Sequence, residues 1–97
     1  MVEDKELIKK VEKYESLTKR ALDEIKKRDN LTEKEEKIAK DFLSMANNYY
    51  NDASYYQKKG DLLTALASFS YAHAWLDAGV RAYLFDATDD QLFTLRE

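Results

Sequence analysis

The chain has 97 residues, 16 of them Lys or Arg and 19 Asp or Glu, for a net charge of −3. That length builds one hydrophobic core and leaves little material for a second domain or a deep, enclosed active site. The acidic balance argues against nucleic acid and anionic membrane, both of which reward a concentrated basic face. The absence of cysteine excludes disulfides, thiolate nucleophiles and thiolate metal sites, and it fits a reducing compartment.

Hydrophobic residues make up 44% and charged residues 36%, a globular composition with a heavily charged surface. With no proline and two glycines, long Lys/Glu-rich stretches read as a few long helices. The N-terminus is charged from Glu3 onward and no apolar run approaches the ~20 residues of a membrane span. The expectation is a cytoplasmic, all-α protein without a signal peptide.

The first helix is predicted over about residues 3–28. Leu7, Val11, Tyr14, Ala21, Leu22 and Ile25 recur at steps of three and four, and Ile8 and Leu17 widen the stripe. Asp29 and Asn30 then read as turn formers. The second helix, over about 33–59, starts at a capping box of Thr32 and Glu35. Ile38, Phe42, Met45, Ala46, Tyr49, Ala53 and Tyr56 share one face. Two lysines and Gly60 close it.

The third helix, over about 62–86, begins directly from Asp61 as N-cap, so the second and third helices form an antiparallel hairpin. On a wheel, Leu62, Leu66, Phe69, Leu76, Val80 and Tyr83 form one broad face. Ala67, Ala74 and Ala78 form a second face roughly 150° away. Apolar character on two sides predicts packing from two sides, the alanine side as a tight seam below the usual ~8–10 Å helix spacing. Gly79 in mid-helix costs about 1 kcal/mol against alanine, so it predicts a close backbone contact or a bend. Thr88 and Gln91 repeat a capping pattern ahead of a short terminal helix at about 89–95, with Leu92, Phe93 and Leu95 folding back. The predicted architecture is a single domain over residues 1–97. It is an antiparallel up-down three-helix bundle with a short C-terminal helix or tail packed on it.

His73 and Asp77 stand at i and i+4 on the third helix. They read either as a proton-transfer pair or as a half-buried histidine satisfied by Asp77 and a hydroxyl such as Tyr14 or Tyr49. The second reading is favoured. Ser68 and Ser70 make no triad by lying nearby in sequence. One histidine, no cysteine and no HExxH pattern lead to the expectation of no metal and no cofactor. Asp89 and Asp90 read as the first turn of the last helix.

Seven tyrosines are the other unusual feature. Tyr49 and Tyr56 are expected on the core face of the second helix, with Tyr50 flanking that face and Tyr55 pointing away. Tyr50 and Tyr55 either cover the hairpin or form an exposed patch at the Gly60 end for a partner or a second copy.

The segment NNYYNDASYYQKKGDLLTALASFSYAHAWLDAG resembles an archaeal family known as domain of unknown function 357. The resemblance is carried by Gly60, Asp61, Ala65, Leu66, Tyr71, Ala72, Leu76, Asp77 and Ala78. It covers about the last two-thirds of the chain, and the first helix only by its amphipathic character. It implies an archaeal source and an up-down three-helix bundle, and no particular activity.

Function is therefore expected to be non-catalytic: a small protein-interaction or scaffold module with a protein partner or self-association as a homodimer. The alternative is a small-molecule-binding or catalytic helical domain using a cluster of His73, Asp77 and a tyrosine. Lys9, Lys10, Lys13 and Arg20 are diluted by glutamates, so no nucleic acid or membrane partner is expected.

Overall fold

The computed structural model describes residues 4–87. Three helices pack together: α1 at Lys5–Glu24, α2 at Glu33–Lys58 and α3 at Leu62–Arg81. Two short strands, β1 at Lys26–Lys27 and β2 at Phe85–Asp86, pair antiparallel. Asp89, Asp90, the Thr88/Gln91 capping pattern and the expected helix at 89–95 lie outside the described residues.

Each helix starts on a side chain that satisfies a free backbone donor. Asp4 accepts from the Leu7 amide at 3.0 Å and Asp61 from the Thr64 amide at 3.2 Å. Thr32 accepts from the Glu35 amide at 3.1 Å, and the Glu35 carboxylate accepts from the Thr32 amide at 2.8 Å. Helix α2 ends on Gly60, whose φ of 84° suits a residue without Cβ. Its amide donates to Gln57 C=O at 3.1 Å and the Asp61 amide to Tyr56 C=O at 3.0 Å, a Schellman closure. Asp61 thus closes α2 and opens α3 with no intervening loop.

Two helix ends differ from the sequence expectation. Helix α1 stops at Glu24, about one turn before residue 28, because Ile25 turns extended with ψ 141°. The chain then pairs Lys26 with Asp86 and Lys27 with Phe85, and the Arg28 amide donates to Leu84 C=O at 2.9 Å. Helix α3 stops at Arg81 instead of about residue 86. Tyr83 there takes the left-handed conformation at φ 63°, and the Leu84 amide donates to Gly79 C=O at 2.9 Å. Lys, Arg and Tyr carry no helix-stop signal. The reversal after α3 decides both ends, because it brings Leu84 and Phe85 into the core and makes a backbone partner for 26–28.

The interior is organised around small residues. Ala39, Ala46 and Ala53 of α2 and Ala65, Ala72 and Gly79 of α3 are all buried, each set spaced by sevens. The hairpin turn at Gly60 sets these two rows antiparallel, and the large side chains splay to either side. On one flank Phe42 meets Trp75 edge-on at 5.0 Å and Tyr49 meets Tyr71 at 4.5 Å. On the other, Tyr50 meets Phe69 at 5.4 Å. Such pairs add about 0.5–1.5 kcal/mol each beyond area burial.

Helix α3 is the central element, meeting α2 and α1 broadly while α1 and α2 touch along a narrow line. Two clusters divide the core. Val11, Ala53, Ala65 and Phe69 fill one, joined by Leu7, Tyr14 and Leu62. Ala21, Ala39, Ala46, Leu76, Val80 and Phe85 fill the other, joined by Leu22 and Ile25. Gly79 is closely approached by a side chain, not by the backbone its position suggested: a Cβ there would overlap the Phe85 ring.

The expected second packed face of α3 is not packed in this chain. Ala67, Ala74 and Ala78 are exposed, and the tight seam runs instead through Ala65, Ala72 and Gly79. Tyr83, expected on the core face, is exposed, and Ile38 of α2 stands at the surface.

Candidate functional site

The polar residues of interest gather where α1 crosses the middle of α3. Thr18 continues the α1 stripe between Tyr14 and Ala21 and is fully buried. Its Oγ1 donates to Phe69 C=O at 3.3 Å and lies 3.3 Å from His73 Nδ1. A hydroxyl has one proton, so with that proton on the Phe69 carbonyl the imidazole must donate through Nδ1. This assignment leaves Thr18 Oγ1 as acceptor toward His73, the reverse of what an activated nucleophile requires. The hydroxyl facing His73 is thus Thr18, not the Tyr14 or Tyr49 weighed from sequence. Asp77 follows one turn later and is half-buried, and Ser70 faces solvent.

Tyr50 and Tyr55 have different surroundings. Tyr50 Oη donates to Glu15 of α1 at 3.4 Å, and its ring packs on Phe69. Burial, then the neighbouring Glu15 carboxylate, raise its pKa above the usual tyrosine value. Tyr55 is 54% exposed, edge-on to Tyr56 at 5.5 Å with Lys59 Nζ 5.2 Å above its ring. One tyrosine braces α2 on α1 and the other stands outside the hairpin.

The most distinctive surface is the outer side of α3. Leu63 is 70% exposed and Tyr71 46%, and Ala67, Ser70, Ala74 and Ala78 continue the same face. Between Asp61 and Arg81 the only Asp, Glu, Lys or Arg is Asp77. Phe42, Tyr49, Tyr71 and Trp75 make an aromatic row beside it, with Tyr71 and Trp75 6.1 Å apart. A shallow cavity of about 220 Å³ is lined by Tyr71, Ala74, Trp75 and Ala78. The Trp75 indole N–H is buried without a hydrogen-bond partner among the described residues. The exposed faces of α1 and of the first two turns of α2, by contrast, are dense in Lys and Glu, and the rest of α2 exposes mainly Asn and Asp. Periodicity pointed to this α3 face, but as an interior seam.

Among the described residues no group of three His, Cys, Asp or Glu side chains could hold a metal ion. No helix there is long and apolar enough to cross a membrane.

Three packed helices with an alanine-lined hairpin at their centre define a small all-α protein whose most apolar helix shows one face to solvent. The chain belongs to the family described as Protein of unknown function (DUF357), whose model matches residues 13–85. That match reaches back through most of α1, beyond the segment on which the resemblance rested. Neither curated proteins nor solved structures gave a match.

Proposed function

We propose that this protein is a non-catalytic interaction module built on an up-down three-helix bundle. The topology is supported by the core: Leu7 and Val11 near the start of α1 share a cluster with Leu62 and Ala65 near the start of α3. The observation that carries the functional reading is the outer face of α3, an uncharged, partly aromatic helix surface on an otherwise charged chain. Contiguous apolar patches with polar rims mark places where proteins meet. The catalytic alternative has less support. The cavity of about 220 Å³ is lined by Tyr71, Ala74, Trp75 and Ala78, not by His73 or Asp77.

The test compares the full chain with Ala74→Arg as bait in extracts of the cells that make it. Ala74 is exposed, so arginine is tolerated by the fold and placed in the middle of the face. A partner retained by the wild type and lost by the variant is the expected result. Identical recoveries from both baits would remove the reading.

A further inference from the structure

We propose that the groove between α2 and α3, on the side away from α1, receives an amphipathic helix of a partner protein with basic residues along one flank. This rests on the interaction reading above and names the partner's chemistry.

Both helices wall the groove. On α2, Ile38, Phe42, Met45, Tyr49 and Tyr56 fall within about 60° of one another. Phe42 and Tyr49 meet Trp75 and Tyr71 of α3 edge-on, so the four rings form a continuous floor. Tyr50, about 100° round α2 from Tyr49, bonds to Glu15, which places α1 on the other side. Ile38 is 37% exposed and Tyr71 46%. The cavity of about 220 Å³ at Trp75 and Ala78 adjoins this floor and admits an apolar side chain. From Ile38 to Tyr56 the groove runs about 27 Å, five turns of helix. An apolar helix stripe laid in such a groove is a recurring mode of recognition.

Charge decides which helix fits. Lys34, Asp41, Asp52 and Lys59 share a strip of about 20° beside the apolar stripe of α2. The aspartates stand in the middle, and each lysine lies about 10 Å beyond one of them. Both aspartates are exposed, and among the described residues neither has an ion pair. The α3 wall adds no charge to the middle of the groove. Asp77 and Arg81 lie more than about 100° from Trp75 around α3, and Asp61 is engaged as N-cap at the far end. A helix crossing the middle thus meets negative charge on one flank only. Two Lys or Arg side chains eleven residues apart, three turns, match the spacing of Asp41 and Asp52. A second copy of this chain does not. Laid on α2 in full register, parallel or antiparallel, α2 of that copy brings Asp against Asp and Lys against Lys, which like-charge repulsion opposes.

Trp75 is the chain's only tryptophan, so its fluorescence reports occupancy of the groove by the full chain. The probes are two tryptophan-free helical peptides of about 18 residues, the length of the groove. They share a leucine stripe and differ only at two flank positions eleven apart, both lysine or both glutamate. At low salt the lysine peptide should shift Trp75 emission to shorter wavelength and saturate in the micromolar range, as suits a small interface. The glutamate peptide should bind about tenfold more weakly, and added salt should narrow the gap. Asp41→Lys combined with Asp52→Lys, both at exposed positions, should keep the unfolding midpoint and invert the preference.

Trp75 emission that answers to neither peptide overturns the proposal, as does equal binding of the two. So does a preference that survives the double substitution. A chain whose sedimenting mass doubles without peptide, and stays doubled with it, makes a second copy the occupant and overturns the proposal too. If the peptides fail while the Ala74→Arg bait still loses a partner, the basic helix falls and the interaction reading stands. Failure of the peptides with identical recoveries from both baits ends both.

Discussion

Replacing Gly79 by alanine sets two effects of opposite sign against each other. In an open helix the change would add about 1 kcal/mol, since glycine is the poorer helix former. Here the new methyl would occupy the place of the Phe85 ring, which is fully buried and cannot swing into solvent. Overpacking a closed core costs typically about 1–3 kcal/mol, so the net effect is a loss. Urea unfolding should show Gly79→Ala less stable than wild type, and the same change should become stabilising in a Phe85→Ala background. A gain in both backgrounds would mean the ring does not hold the position. Gly79 pointed from sequence alone to a close backbone contact or a bend, whereas its neighbour is a side chain, the Phe85 ring, set after a chain reversal that no local signal marks. Thr18 shows the opposite blindness. Its spacing places it on the α1 stripe between Tyr14 and Ala21, yet a hydroxyl reads as surface until it is found donating to Phe69 C=O.

Among the elements, the α2–α3 hairpin was the most legible, because capping chemistry is local. Thr32, Glu35, Gly60 and Asp61 each act within four residues of themselves, and the starts of α2 and α3 fall where they place them. Periodicity placed Ala46 and Ala53 on the core face of α2 but set the α3 seam on Ala67, Ala74 and Ala78, whereas the buried alanines of α3 are Ala65 and Ala72. A direct comparison separates the two alanine faces of α3. Ala72→Leu forces a branched side chain into the seam and should cost several kcal/mol, whereas Ala74→Leu, two residues on, should change stability by less than about 0.5 kcal/mol. Equal losses would contradict the burial of one and the exposure of the other.

The α2 start carries a pH signature as well. Hydrogen bonds from the Thr32 backbone and side chain lower the Glu35 pKa below its ordinary 4.5. A depressed carboxylate stabilises the fold above its ordinary value, and that contribution is lost as pH falls through the lowered one. The difference in thermal midpoint between wild type and Glu35→Ala should therefore shrink on acidification below 4.5. A difference that stays constant into strong acid would show that the carboxylate charge has no part in the cap.

At the scale of the molecule the three helices are not equal partners. Six residues of α3 are buried, against three in each of the others. Helix α1 holds mainly to α3, while α2 and α3 are joined by both the seam and a turn with no slack. All-α packing was legible because 3.6-residue periodicity runs through every segment. The ribbon tying β1 to β2 was not, because it joins positions nearly sixty residues apart and has two residues per strand. This inequality predicts the order of opening. Releasing α1 breaks one broad interface and the ribbon, while separating α2 from α3 also exposes the seam and strands the aromatic pairs beside it. Amide exchange of the full chain, followed against denaturant, should show residues near Val11 and Ala21 opening at lower free energy than those near Ala46 and Ala72. Identical opening energies across all four would mean that the ribbon and the α1–α3 interface bind the bundle into one cooperative unit.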